Sequence, residues 1–303
     1  MKRDIEFKAD DGITLRGWIV TPDTPGPHPV VVMTHGAGGY KEWHLPGLSA
    51  ILQAAGFASL AYDHRNFGDS EGQPRCEIMA QRQIEDYRTA ITFAETQTDL
   101  DCQRLGIFGT SFSGGHVLVV AAIDRRVKCV VAQVPFISGS QGMVTQFHPE
   151  EALEMQRRWD QDRRDRAAGK PPQMVPHYVG DPNNPVAGRS ANRVQFFQRM
   201  TEAEKRNWTN QLTLRSMEQL YQYEAGSFVK LISPTPLLMI VSHEEVRLML
   251  PFYEEALEPK KVVLTKGGHY DPYMDEYPKA AGATRDWFVQ WLGSSTEPKR
   301  TSS

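Results

Sequence analysis

Cysteine is scarce in this chain: Cys76, Cys102 and Cys129 are all that its 303 residues contain. Their odd number and the absence of paired or metal-type spacing argue against a disulfide framework. Long apolar runs are missing too, and none reaches the roughly 18 residues of a membrane helix. Residues 1–9 are charged and alternating, without the apolar centre of a signal peptide, so a cytoplasmic protein with no membrane partner is expected. Charge of one sign is equally absent. Lys+Arg number 34 and Asp+Glu 37, leaving a formal net charge of −3 and a pI near 6.3. No global basic field exists to neutralise phosphates, which argues against a nucleic-acid partner. Arg157, Arg158, Arg163, Arg164 and Arg166 are interleaved with Glu151, Glu154, Asp160, Asp162 and Asp165. Such alternation reads as a solvated helix laced with i,i+4 pairs.

What is present is an ordinary globular composition, 40% hydrophobic and 23% charged, long enough for one large α/β domain or two small ones. Two alternating stretches, 4–9 and 13–20, flank Asp10-Asp11-Gly12 and predict an antiparallel hairpin. Short continuous apolar runs follow at 30–33, 58–62, 105–108, 127–132 and 237–241, with a last one at 262–264. These predict parallel strands buried on both faces. Helical patterns at 48–55, 84–93, 115–123 and 277–292 lie between or after them. Strands alternating with helices predict a doubly wound, mostly parallel sheet. From 138 to 229 the strand rhythm stops, and a stretch that long is too large for a connection. It is expected to be an inserted helical cap, with 1–137 and 230–293 as the core and 294–303 as a disordered tail.

Three local patterns carry chemistry. After the run ending at Phe108 comes Gly109-Thr110-Ser111-Phe112-Ser113-Gly114-Gly115 and then a helix. A nucleophile on such a strand-to-helix turn sits in a strained conformation that lifts its hydroxyl above the sheet, with small residues two positions either side. Ser111 falls at the apex and Ser113 in the first helical turn. Ser113 stands where Gly is usual, and Gly114 and Gly115 are expected to absorb close packing. The plain alternative is a serine that only caps the helix.

The second pattern, His35-Gly36-Ala37-Gly38-Gly39, follows the strand at 30–33. Its glycines let the backbone approach a substrate oxygen, so that the N–H groups of Ala37 and Phe112 form an oxyanion hole. A phosphate loop is excluded by the lack of a following Gly-Lys-Ser/Thr. The third, Gly267-Gly268-His269-Tyr270, puts an imidazole at the carboxyl end of the sheet, where ligands bind in open α/β folds. An acid is then expected in the loop Ser242-His243-Glu244-Glu245, with Glu245 preferred and Glu244 left open. Of the remaining histidines, His28, His44, His64, His148 and His177 read as surface or structural, and His116 as packed behind the turn.

Together these residues resemble the α/β-hydrolase superfamily over almost the whole chain. The stretches 35–42, 61–72 and 268–273 look like its dienelactone-hydrolase-like branch, and within it fungal polyketide transferases and thiohydrolases, which carry such a helical cap. The resemblance implies an acyl ester or thioester substrate, including polyketide intermediates, released by water or passed to an alcohol. It implies Ser111 as nucleophile, His269 as base and Glu245 as acid, with no metal or organic cofactor. A small-molecule acyl substrate is the expected partner, with an acyl carrier protein and a second copy of the chain as further options. Carbon-carbon cleavage or cyclisation at the same site, and a catalytically silent binding protein, are the alternatives. Asp63 and Arg65 are expected to form an ion pair at a strand end. Met143, Phe147, Met155, Trp159, Tyr178, Phe196, Phe197, Trp208, Leu220 and Tyr221 are available to roof the elbow or to pack the cap itself.

Overall fold

A computed structural model describes residues 1–146, 148–177, 191–206 and 208–293. The tail expected at 294–303, Phe147, Tyr178 and the side chain of Met143 lie outside the described residues. The chain opens with β1 (Lys2–Lys8) and β2 (Thr14–Val20), antiparallel around a turn in which Gly12 takes φ +86°. Then come β3 (His28–Thr34), α1 (Leu45–Ala54), β4 (Ala58–Tyr62), α2 (Ala80–Glu95), β5 (Leu100–Thr110), α3 (Phe112–Ile123) and β6 (Cys129–Gln133).

A mostly helical stretch follows: α4 (Gly139–Gln146), α5 (Pro149–Ala167), β7 (Met174–Val175), α6 (Ala191–Arg199), α7 (Glu202–Lys205), β8 (Leu212–Thr213) and α8 (Leu214–Tyr221). The chain returns to the sheet with β9 (Leu237–Ser242), α9 (Val246–Glu255), β10 (Lys260–Thr265) and α10 (Tyr277–Leu292). Eight strands form one sheet in the order β1-β2-β4-β3-β5-β6-β9-β10, antiparallel at β1-β2 and β2-β4 and parallel elsewhere. The doubly wound, mostly parallel architecture is the expected one.

The continuous apolar runs exist because both faces of the sheet are covered. Val30, Val32, Ile107, Val130 and Met239 join the core under α2 and α3 with Tyr87, Ile84 and Val117. Val31, Met33, Phe108, Val131 and Leu238 join the opposite core under α1 and α10 with Leu48, Leu52 and Phe288. Each such side chain contributes about 1.5–3 kcal/mol on burial, so the strand order is held from two sides.

The segment between β6 and β9 departs from a purely helical reading. β7 and β8 pair as a two-stranded antiparallel ribbon, too short for any periodicity to announce. On α5 the expected i,i+4 pairing occurs between Arg166 and Asp162 at 2.7 Å, but Asp162 is buried rather than solvated and also accepts from Gln173 N–H at 2.8 Å. Arg163 instead reaches Glu218 on α8 at 2.5 Å. Met155 and Trp159 are buried, Trp159 against Tyr221 at 5.5 Å.

Candidate active site

Four strand ends converge on one side of the sheet. β5 runs to Thr110, Ser111 turns and α3 begins at Phe112. Ser111 lies at φ 53°, ψ −118°, a left-handed conformation that costs a non-glycine residue about 1–3 kcal/mol. The cost is met by hydrogen bonds: Ser111 N–H donates to Gln133 C=O at 2.9 Å and Phe136 N–H to Ser111 C=O at 2.7 Å. A Cβ on Gly109 would collide with the carbonyl of Ser113, so the turn needs glycine there. Cβ atoms on Gly114 and Gly115 would press on Pro135 Cα and the Phe136 carbonyl, at 2.8 and 2.5 Å. Those two glycines let α3 lie close on the backbone after β6.

Ser111 makes no capping bond to its helix. Its Oγ lies 2.9 Å from His269 Nε2, and His269 Nδ1 lies 2.9 Å from Glu245 Oε1. Glu245 Oε2 accepts from Ser242 Oγ at 2.6 Å. Burial pushes the Glu245 carboxyl up, but the charge of His269 and the hydrogen bonds from His269 and Ser242 outweigh it and hold it below its usual range. The carboxylate therefore stays ionised beside the imidazole. The turn His243–Glu245 separates the neighbouring glutamates: Glu244 is exposed, its N–H donates to Gly267 C=O at 3.1 Å, and its carboxylate lies against the Gly268 backbone.

The turn after β3 closes with Gly39 N–H on Gly36 C=O at 3.1 Å and Gly38 at φ +63°. It stacks on the nucleophile, since a Cβ on Gly36 would lie 2.9 Å from Ser111 Cβ. The Phe112 N–H belongs to the first turn of α3, whose donors have no acceptor within the helix. The turn that carries Ala37 and the first turn of α3 thus meet at Ser111.

Ser113 is fully buried and turned away from His269. Its hydroxyl donates to His35 C=O and accepts from His64 Nε2 at 2.7 Å. His64 N–H donates to His35 Nε2 at 3.3 Å, and His35 Nδ1–H to Gly36 C=O at 2.9 Å. The serine that replaces glycine therefore fastens α3 to the turn carrying Ala37. No local signal announces this link, because His64 stands 49 residues from its partner. His116 is fully buried behind the elbow, on Tyr223 Oη at 2.9 Å and Gln83 Oε1 at 3.1 Å.

Asp63 and Arg65 do not pair with each other. Asp63 takes Lys41 Nζ at 2.7 Å and the Lys41 N–H at 2.7 Å, while Arg65 takes Asp86 at 2.6 Å and Asp11 at 2.7 Å. Beyond the end of β4 the two side chains leave for different neighbours. Asp63 braces the turn after β3, and Arg65 ties α2 to the loop between β1 and β2.

The 138–229 segment approaches the same turn. Trp208 Nε1–H donates to Gly38 C=O at 3.1 Å and stacks on Phe197 at 5.1 Å. Phe196 lies 4.9 Å from Tyr270, and the His177 ring abuts Gly38. Among the described residues no helix is long and apolar enough to cross a membrane.

Comparison with known proteins gives the family to which this fold belongs. The chain is 30% identical to a thiohydrolase of Eupenicillium brefeldianum over 89% of its own length and 88% of that protein. It is likewise 30% identical to the polyketide transferase grgF of Penicillium sp, over 89% and 90%. The crystal structure of the α/β hydrolase GrgF from Penicillium sp. sh18 superposes with a TM-score of 0.81 at 26% identity, covering 97% of this chain and all (100%) of that one. Residues 11–271 match the family described as X-Pro dipeptidyl-peptidase (S15 family). The chain belongs to that S15 family, as an α/β-hydrolase enzyme related to fungal thiohydrolases and polyketide transferases.

Proposed function

We propose that the chain cleaves or transfers an acyl ester or thioester through a Ser111–His269–Glu245 relay and a covalent acyl-enzyme. The observation that carries this reading is the pair of 2.9 Å contacts from Ser111 Oγ to His269 Nε2 and from His269 Nδ1 to Glu245 Oε1, set on the strained turn. Ser111 attacks the acyl carbonyl as His269 takes its proton, and Glu245 stabilises the imidazolium. The N–H groups of Ala37 and Phe112 receive the charge that develops on the carbonyl oxygen. Collapse expels an alcohol or thiol, which takes the proton from His269. Water or an acceptor alcohol, deprotonated by the same imidazole, then attacks the acyl-serine and frees Ser111.

The names of the two relatives support a thioester or polyketide-derived acyl group as substrate. Residues 138–229 act as a helical cap on a core of 1–137 and 230–293, and the aromatic contacts of Trp208, Phe197 and Phe196 support that role. The test is Ser111→Ala against an activated ester such as a p-nitrophenyl acyl chain. Turnover is expected to fall on the order of thousandfold or more, since removing one member disables the relay. Full retained turnover would sink the mechanism.

A further inference from the structure

The turn that carries His269 is not self-supporting. Asp271 closes it from one side: Gly268 N–H donates to Asp271 Oδ2 at 2.7 Å, and Asp271 N–H to Gly268 C=O at 3.2 Å. Residues 268 and 271 bracket His269, so the Asp271 carboxylate fixes how the imidazole leaves the backbone. That same Oδ2 accepts from Asn192 Nδ2 at 2.6 Å. Asn192 stands 79 residues earlier in the chain, at the second position of α6. The space around it is tight, because a Cβ on Gly268 would lie 3.0 Å from Asn192 Nδ2. Farther along α6, Phe196 packs on Tyr270 at 4.9 Å and on Tyr273 at 5.5 Å. Arg193 of the same helix donates from Nε to Tyr270 Oη at 2.9 Å, whereas the tie from Arg199 to Asp275 at 2.7 Å joins side chains that are 51% and 70% exposed and adds little.

We infer that Asn192 is a positioning residue for the reaction, acting through Asp271 on His269 from the helical segment. The inference rests on the serine mechanism proposed above. A general base must stand within about 0.5 Å of its productive place, and misplacement by about 1 Å costs on the order of a hundredfold. An amide suits the position. It anchors the carboxylate without setting a cation beside an imidazole that must itself become charged. The seating of α6 is thereby tied to the alignment of the base.

The experiment compares wild type, Asn192→Ala, Asn192→Asp and Arg199→Ala. Steady-state turnover of a p-nitrophenyl ester is measured together with the rate of phosphonylation of Ser111 by a fluorophosphonate at saturation. Asn192→Ala is expected to lower kcat and the phosphonylation rate by the same factor, about tenfold, with KM within about twofold and unchanged thermal unfolding. Asn192→Asp sets two carboxylates together, so its loss should exceed that of the alanine variant at pH 8. Arg199→Ala should stay within about twofold of wild type. An adduct forming as fast in Asn192→Ala as in wild type would overturn this role alone, as would an equal loss in Arg199→Ala. Failure of wild type to form any adduct would overturn the serine mechanism and this role with it.

Discussion

At the scale of single residues the decisive pair is Glu244 and Glu245, adjacent in sequence and different in everything that matters to an imidazole. Glu245 faces His269 Nδ1 at 2.9 Å, whereas Glu244 is exposed against the turn at Gly267 and Gly268. Glu245→Gln should therefore leave a folded enzyme with kcat lowered on the order of a thousandfold, because the imidazole loses the anion that fixes its tautomer and stabilises its charge. Glu244→Gln should change kcat less than about threefold, because it removes no partner of the imidazole. Circular dichroism and ester turnover on the two proteins decide the matter, and the opposite ranking would move the acid by one position. The depressed Glu245 carboxyl adds a pH statement. It stays ionised through the range in which an imidazole titrates, so its protonation lies below the working range of the base. Ser111 and His269, which the structure sets 2.9 Å apart, could be singled out in the sequence because each follows a strand end with a local signature, and Ala37 and Phe112 were read as candidates from the same signatures. For the acid the sequence preferred Glu245 and left Glu244 open; the turn at His243–Glu245, which no periodicity encodes, sets Glu245 against His269.

At the scale of elements the strands were legible because apolar runs covered on both faces have no polar alternation to confuse them. α1, α2, α3 and α10 were legible too, although α9 was not and α3 begins at Phe112, three residues before the periodic pattern at 115–123 suggests. The early start follows from the nucleophile turn, which leads directly into the helix and makes the small residues Ser113, Gly114 and Gly115 its first turns. Between β6 and β9 the sequence showed helical segments but not the ribbon of β7 and β8, nor that Trp208 and Phe197 would meet the turn after β3. If these elements roof the acyl group, specificity belongs to them. A series of p-nitrophenyl esters from acetate to decanoate should then show kcat/KM rising roughly tenfold per pair of carbons until the site is full, at about 0.8 kcal/mol per buried methylene. A flat series would place specificity on the leaving-group side instead.

At the scale of the whole molecule, long-range polar pairs are what the sequence concealed. Asp63 with Lys41, Arg65 with Asp86 and Asp11, Ser113 with His64, and Asn192 with Asp271 each join separate elements. One of these links, Ser113 with His64, runs through an imidazole buried neutral, and His116, held between Tyr223 and Gln83, is a second such group. Burial lowers His116 to about 3, from an ordinary 6.5, and holds His64 well below its usual value. Above pH 6.5 both the folded and unfolded chains carry neutral imidazoles and these groups contribute no pH dependence. Between 6.5 and about 3 the unfolded chain binds protons that folded His116 refuses. Stability must then fall with pH at about 1.4 kcal/mol per unit from His116 alone. Urea unfolding from pH 7 to pH 4 should show that decline, and His116→Gln should flatten its slope whatever it does to stability at pH 7. An unchanged slope would mean that His116 titrates normally.

A covalent acyl-enzyme on Ser111 is tested by intact mass spectrometry of the enzyme quenched within milliseconds of mixing with an acyl thioester. A mass gain equal to the acyl group is expected, mapped by peptide analysis to Ser111. No gain is expected in Ser111→Ala, and a much slower one in His269→Ala, where the hydroxyl loses its base. Substrate turnover with an acyl group found on another residue, or full turnover in Ser111→Ala, would contradict the acyl-enzyme on Ser111.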